Sequence, residues 1–232
     1  MIRENIERIK ARIVSAGLES AKPAENVTLV AVVKNRSAGQ IQEVLGSGII
    51  DIGENKVQEA KLHRSALAGI PGLPAVKWHM IGHLQTNKAR DAVRFFDLIH
   101  SVDSPRLAEE LNKQAAGINK VQDILIEVNT SAEQSKSGVS PDGLTGLAKA
   151  VVALKNLRLL GLMTMAPAAG DPEKARGYFR QLRGLRDRLY ELRVTSYELR
   201  ELSMGMSDDF QAAVGEGATI VRIGRAVFEG TE

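Results

Sequence analysis

Cysteine is absent, so neither a disulfide framework nor a thiolate metal site can be built, and a reducing compartment fits. Aromatic residues are scarce: one Trp, three Tyr and five Phe make no stacking platform for nucleic acid. Charge of one sign is not in excess either. The formal net charge is +3 in 232 residues, and Lys and Arg are interspersed with Asp and Glu, the pattern of a mixed solvated surface. Long apolar runs are missing. The longest, around Leu159 to Ala169, is broken by Gly161, Thr164 and Pro167 and is too short to span a bilayer. No secretory signal opens the chain, and Glu4 and Glu7 argue against an acidic-poor transit peptide. The expectation is a cytoplasmic protein with no nucleic-acid or membrane partner.

What is present is alternation. Ile2, Ile6, Ile9 and Ile13 recur at helical spacing. Short β-branched runs then alternate with helical patterns. The runs are TLVAVV from Thr28, GIIDIG from Gly48, VKWHMIG from Val76, DLIHSV from Asp97, DILIEVN from Asp123, LRLLGLMTM from Leu157, ELSMG from Glu201 and TIVRIG from Thr219. Helices are expected from Ser37, around Val57 to Leu67, from near Thr86, through Leu107 and Leu111, from Ser140, from about Pro172 to Leu192, and from Ser207. Eight strands, each but the last followed by a helix, imply right-handed βαβ units. The expected fold is α/β, a single (β/α)₈ TIM barrel over residues 1–232 with an extra N-terminal helix. An open doubly wound sheet is the alternative.

A barrel of this kind builds its site at the C-terminal ends of the strands. Polar residues there are Lys34, Glu54, Asn55, His79, His83, Ser101, Asp103, Asn129, Thr164, Ser203, Arg222 and Arg225. The N-terminal ends show no comparable collection. Ser104 and Ser207 read as helix caps. Lys34 follows an apolar strand directly: it either snorkels or presents a partly desolvated, nucleophilic amine, and position alone leaves both open. SMGMSDDF offers Ser203, Gly205 and a short helix, and VRIGR offers Gly224 and Arg225, after the two strands where barrels often bind phosphate. Arg222 shares a face with Gly224 and needs a partner inside the barrel: Glu54, Asp103, Glu127 or a heteroaromatic nitrogen. His79 and His83 have no intervening glutamate, and no metal is expected. Neither a P-loop, a nucleophile elbow nor a dinucleotide fingerprint occurs.

The blocks VAVVKN, DIGENKVQEA, WHMIGHLQTNKAR, IHSVDS, LIEVNTSAEQSKSG, GLMTM and LSMGMSDDFQAAVGEGATIVRIGRAVFEG resemble, in order, the YggS/PROSC family of pyridoxal phosphate homeostasis proteins. The likeness runs from about Leu29 to Gly230. It implies a barrel like the N-terminal domain of alanine racemase, and pyridoxal 5′-phosphate (PLP) held as a Schiff base on Lys34. It further implies Arg222 at the pyridine nitrogen, and Ser203 with the backbone of Gly224 and Arg225 on the phosphate, beside Met204 and Gly205. Asn55 and His79 match pocket-lining positions, and Lys136 matches a second PLP contact. The chain departs from the family pattern at Asn35, Arg36 and Ser37, where SKTKP is usual, and at Lys56, where the family carries tyrosine.

The resemblance implies a carrier that delivers or buffers PLP, acts on apo PLP-dependent enzymes and is monomeric, rather than an enzyme. The alternative is a PLP-dependent amino-acid racemase. A racemase of this type needs an acid/base on each face of the substrate, and the sequence leaves no room after the eighth strand for the β domain that supplies one. An arginine at the pyridine nitrogen also weakens the electron sink.

Overall fold

The structure is a computed structural model and describes residues 1–20, 27–133, 136–167 and 171–229. Gln134 and Ser135 of the SAEQSKSG block, Ala168 to Gly170 at the end of the longest apolar run, and Gly230 lie outside the described residues.

Helix α1 (Ile2–Glu19) precedes β1 (Thr28–Val32), α2 (Ala38–Gly46), β2 (Asp51–Glu54), α3 (Val57–Leu67), β3 (Lys77–Met80) and α4 (Ala89–Phe95). There follow β4 (Leu98–Val102), α5 (Pro105–Ala116), β5 (Gln122–Glu127), α6 (Leu144–Val152), β6 (Leu157–Met163), α7 (Arg176–Glu191), β7 (Glu201–Ser203), α8 (Phe210–Gly215), β8 (Ile220–Ile223) and α9 (Arg225–Phe228). The strands are parallel and close in sequence order, with β1 pairing β8 from Thr28↔Ile220 to Ala31↔Ile223. Closure disposes of the open-sheet alternative.

Two apolar layers follow from strand alternation. Residues facing the helices join one large core. Val30, Leu98, Leu125, Met163 and Ile220 form a separate cluster inside the barrel. The apolar face of α1 buries Ile2, Ile6, Ile9 and Ile13 in the outer core, and its Asn5 amide donates to the Val227 carbonyl at 2.9 Å. The extra helix therefore closes the barrel's seam beside α9.

Three boundaries differ from the sequence reading. Helix α6 begins at Leu144 because Ser140 to Gly143 form a turn, in which the Ser140 hydroxyl accepts from Gly143 N–H at 3.2 Å. Helix α8 begins at Phe210, after a turn in which Asp209 accepts from Met206 N–H at 2.6 Å. The last strand, too, is followed by a helix, the short α9. Nor do the two serines cap as expected. Ser104 makes no side-chain capping bond, and the Ser207 hydroxyl accepts from Ala226 N–H at 3.3 Å instead. No helix among the described residues is long and apolar enough to cross a membrane, and no metal-ligating cluster occurs among them.

Candidate functional site

Lys34 lies in the turn after β1 and is exposed. It keeps the inward parity of Val30 and Val32, so it rises over the C-terminal mouth of the barrel. Its neighbour Asn35 sits at φ +58°, a left-handed conformation that asparagine tolerates better than most residues. The turn is held from both sides. Buried Glu54 at the end of β2 contacts His63 Nδ1 at 2.5 Å, and His63 Nε2 contacts the Arg36 carbonyl at 2.9 Å. Arg36 itself reaches α9, pairing with Glu229 at 2.5 Å and lying 4.6 Å over the Phe228 ring. Ser37 then caps α2 in a reciprocal capping box with Gln40. Three departures from the family pattern thus have local work: Asn35 makes the turn, Arg36 anchors it and Ser37 starts the next helix. The carboxylates flanking the turn, Glu54 and Glu229, are engaged by His63 and Arg36.

The first two strands and the last lie side by side here. A Cβ on Gly224 would stand 3.5 Å from that of Val32, so the β8 loop abuts the strand that carries Lys34. Among the described residues, the backbone N–H groups of Gly224 and Arg225 make no hydrogen bond within the chain. The Arg225 guanidinium pairs with Asp208, joining the β7 and β8 loops. Gly205 turns the β7 loop at φ +93°, and a Cβ there would come within 2.6 Å of Ala213 Cβ and 2.9 Å of Phe210 Cα. Asn55, half-buried, lies under the β3 loop, where Gly82 comes so close that a Cβ would meet the Asn55 carbonyl at 2.4 Å.

Arg222 is buried inside the barrel. Nη1 donates to Ser203 Oγ at 2.6 Å and Nη2 to the Thr164 carbonyl at 2.9 Å. Burial pulls its pKa down to about 10, against the support of Glu127 and Asp209, so it stays a cation at neutral pH. Of the partners expected for it, Glu127 is near, whereas Glu54 is taken by His63. Glu127, almost fully buried at the end of β5, is pushed up to about 7, mainly by desolvation and next by Asp103, with Arg222 opposing.

Two expected site residues are placed elsewhere. His79 is on β3 and faces the interior, but towards the N-terminal end: Nε2 contacts Asp51 Oδ1 at 3.0 Å and Nδ1 contacts His100 Nε2 at 2.9 Å. The WHMIGH segment leaves its strand only after Met80, two residues from where strand-end polarity would have put a ligand. Met204 points into the helix-side core, and its N–H donates to the Ile220 carbonyl at 3.0 Å, so it offers the mouth neither side chain nor donor. Lys136 is half-buried on the loop after β5, 3.8 Å from Glu133. Nothing in the geometry brings it to Lys34. Lys56 stands exposed at the start of α3, 3.0 Å from Glu59.

His100 is the residue that strand-end reading missed. It is fully buried and contacts Ser203 Oγ through Nδ1 at 2.9 Å. Desolvation, with His79 and Arg222 nearby, depresses its pKa well below the ordinary range, so the ring is neutral. The signal lies in parity: His100 follows the inward Leu98 by two residues, while the buried Ser101 hydroxyl beside it is unpartnered among the described residues. The N-terminal mouth is polar as well, contrary to the expectation from the strand starts. Asp51, Lys77, Asp97, Asp123 and Glu201 gather there around an opening.

An eight-stranded parallel barrel with a lysine at the rim of β1, a buried arginine on β8 and open backbone donors beside it defines a class, the barrel of alanine racemase's N-terminal half. The model of the alanine racemase N-terminal domain family matches residues 2–232. Curated relatives include the pyridoxal phosphate homeostasis protein of Aquifex aeolicus, 42% identical over 97% of this chain and 96% of that one. That of Pseudomonas aeruginosa is 40% identical over 98% and 94%. The chain belongs to this family of pyridoxal phosphate homeostasis proteins. Among solved structures, PipY of Synechococcus elongatus with PLP bound superposes with a TM-score of 0.83 at 35% identity, covering 98% of this chain and all of that one. An alanine racemase of Clostridium difficile, at 15% identity and TM-score 0.74, shares the fold alone.

Proposed function

We propose that this chain is a single-barrel, monomeric PLP carrier, which holds the cofactor through Lys34 and releases it to apo PLP-dependent enzymes in the cytoplasm. The observation that carries the reading is the juxtaposition at one mouth of an amine without a neighbouring free carboxylate, open N–H donors at Gly224 and Arg225, and a buried arginine on the strand that leads to those donors. The donor set fits the group: an aldehyde asks for an amine, a phosphate for N–H donors, and a pyridine nitrogen for a hydrogen bond from a cation. When bound, PLP supplies an aldehyde for a Schiff base with the lysine and an electron sink in its ring.

The protein's own residues set the rest. The Asn35–Arg36 turn holds the Lys34 stem over the mouth. Gly205 lets the β7 loop close on α8, keeping the phosphate end narrow. Arg222 uses two N–H groups on Ser203 and Thr164 and has others left to direct at a ring nitrogen. A guanidinium so placed does not give up its proton readily, which keeps the ring a weak sink and disfavours turnover.

The same residues weigh against racemase chemistry. Tyr178 packs on the helix-side core, and Tyr190 and Tyr197 are exposed on and after α7. None stands opposite Lys34 as a second acid/base.

The test combines three measurements on purified protein: the visible absorption band after PLP addition, chiral chromatography after incubation with L- and D-amino acids, and PLP transfer to an apo-enzyme compared with free PLP. A band, no interconversion and transfer are expected. No band would end the PLP reading. Amino-acid turnover near ~1 s⁻¹ or above, an ordinary enzymatic rate, would replace the carrier with a racemase.

A further inference from the structure

We propose that Asp51, His79 and His100 are positioning residues for the Arg222 pocket, forming a one-way hydrogen-bond relay through the barrel from its N-terminal mouth. The part concerning PLP rests on the carrier reading above; the relay itself does not.

Four contacts in series carry it. Arg222 Nη1 meets Ser203 Oγ at 2.6 Å, Ser203 Oγ meets His100 Nδ1 at 2.9 Å, His100 Nε2 meets His79 Nδ1 at 2.9 Å, and His79 Nε2 meets Asp51 Oδ1 at 3.0 Å. Both imidazoles are buried, as are Ser203 and Arg222, while Asp51 is partly open at the far mouth. Chemistry at the two ends fixes the direction. A guanidinium only donates, so Ser203 Oγ accepts from Arg222 and has one proton to give. Its other partner is His100 Nδ1, which accepts it. A neutral His100 then carries its proton on Nε2 and donates to His79 Nδ1. His79 in turn carries its proton on Nε2 and donates to the Asp51 carboxylate. Every donor has an acceptor, and neither ring needs a buried charge.

The opposite sense fails twice. It would leave the Ser203 proton without an acceptor among the described residues, and it would set a His79 lone pair against the Asp51 carboxylate. Each fault leaves a buried polar group without its hydrogen bond, which the interior of a protein penalises. Protonating His79 removes the second fault but keeps the first.

Two consequences follow for the pocket. The Ser203 hydroxyl is turned to His100 and shows Arg222 a lone pair, so it orients the guanidinium instead of donating to a phosphate. Backbone N–H groups are left as the phosphate donors. Asp51, at the mouth opposite Lys34, sets the tautomers on which that orientation depends.

Long-range proton–nitrogen correlation spectra of the PLP-free protein, labelled with nitrogen-15 in histidine, read the tautomers directly. Both His79 and His100 should be neutral with the proton on Nε2. A charged His79, or a proton on Nδ1 of His100, overturns the relay. On the PLP-loaded side, Asp51→Ala should mix the His79 tautomers and weaken PLP affinity roughly three- to tenfold, the worth of one hydrogen bond. Asp51→Asn, which keeps an acceptor, should restore both readouts, and Lys77→Ala at the same mouth should change neither. Wild-type tautomers and affinity in Asp51→Ala would overturn the positioning role. Should the wild type take up no PLP, the carrier reading falls, and the tautomer spectra still decide the relay alone.

Discussion

The two mouths of the barrel are both polar, and they differ in what their polar groups are doing. At the N-terminal mouth each carboxylate has a partner of its own. Asp51 holds His79, Asp97 accepts from Trp78 N–H at 2.7 Å, Asp123 grips Arg158 at 2.6 and 2.7 Å, and Glu201 accepts from the Thr219 hydroxyl at 2.6 Å. At the C-terminal mouth, Lys34 and the N–H groups of Gly224 and Arg225 stand uncommitted. A fold satisfies its buried polar groups wherever it can, so polarity alone does not mark a site. Polarity left unsatisfied on one face of a rigid frame does.

The comparison breaks most visibly at Lys34. Lys34→Ala should abolish the visible band that PLP gives with the wild type, while the thermal midpoint of the PLP-free protein stays within a degree or two of wild type, since the side chain is exposed and touches no core. A band that survives would mean another amine does the work, with Lys136 the first to examine. Next in size is Gly82→Ala. Its methyl would meet the backbone of Asn55, at 2.4 Å from the carbonyl oxygen, and backbone cannot swing aside as a side chain can. A destabilisation of about 2 kcal/mol or more is expected by denaturant unfolding, together with weakened PLP binding as Asn55 is displaced. Stability unchanged would mean that the β3 loop is free to move away from the mouth.

The fold was legible because the alternation of β-branched runs and helical patterns is strong, and closure follows from eight units. The site was legible in part. Lys34, Gly205, Gly224 and Arg225 sit past their strands, where a barrel exposes its loops. What the sequence hid lies within the strands. His79 and His100 interrupt apolar runs, and a histidine there reads as either a loop ligand or a core residue until register is known. Alternation with the helix-facing Trp78 and Met80 sorts His79, and parity with Leu98 sorts His100, but β4 carries an irregularity between Ile99 and Val102 that upsets parity where Ser101 stands. The N-terminal mouth was missed for another reason. Its carboxylates, Asp51, Asp97, Asp123 and Glu201, come singly from four different segments, so no local pattern announces them.

Glu127 sharpens the contrast through pH. Its folded pKa of about 7 lies above the ordinary carboxylate value of 4.5. Between those values the folded state binds more protons than the unfolded state, so stability is full below the ordinary value and declines as pH rises through about 7. The loss is on the order of 2–3 kcal/mol for a shift of this size. Glu127→Gln should flatten unfolding free energy over this pH window. An equally steep decline in the variant would mean that another group is responsible. Because Arg222 is among the charges acting on Glu127, PLP binding should also vary with pH less in the variant than in the wild type.

The smallest effect is expected at the opposite mouth. Arg158 and Asp123 form a two-pronged pair, with the arginine side chain 58% exposed and the aspartate 24%. Water and salt screen such a pair, and its worth is about 1 kcal/mol or less. Arg158→Ala should therefore lower the unfolding free energy only slightly, by an amount that shrinks further at high salt, and should leave PLP affinity untouched. Asp123 lines the same opening as Asp51 and holds Arg158 beside it, yet neither touches His79, so they lie outside the relay. If Arg158→Ala weakened PLP binding as much as Asp51→Ala, the whole charge field of that mouth would be acting on the pocket, and the two ends of the barrel would have to be treated as one electrostatic unit rather than as a paired-off base and an open rim.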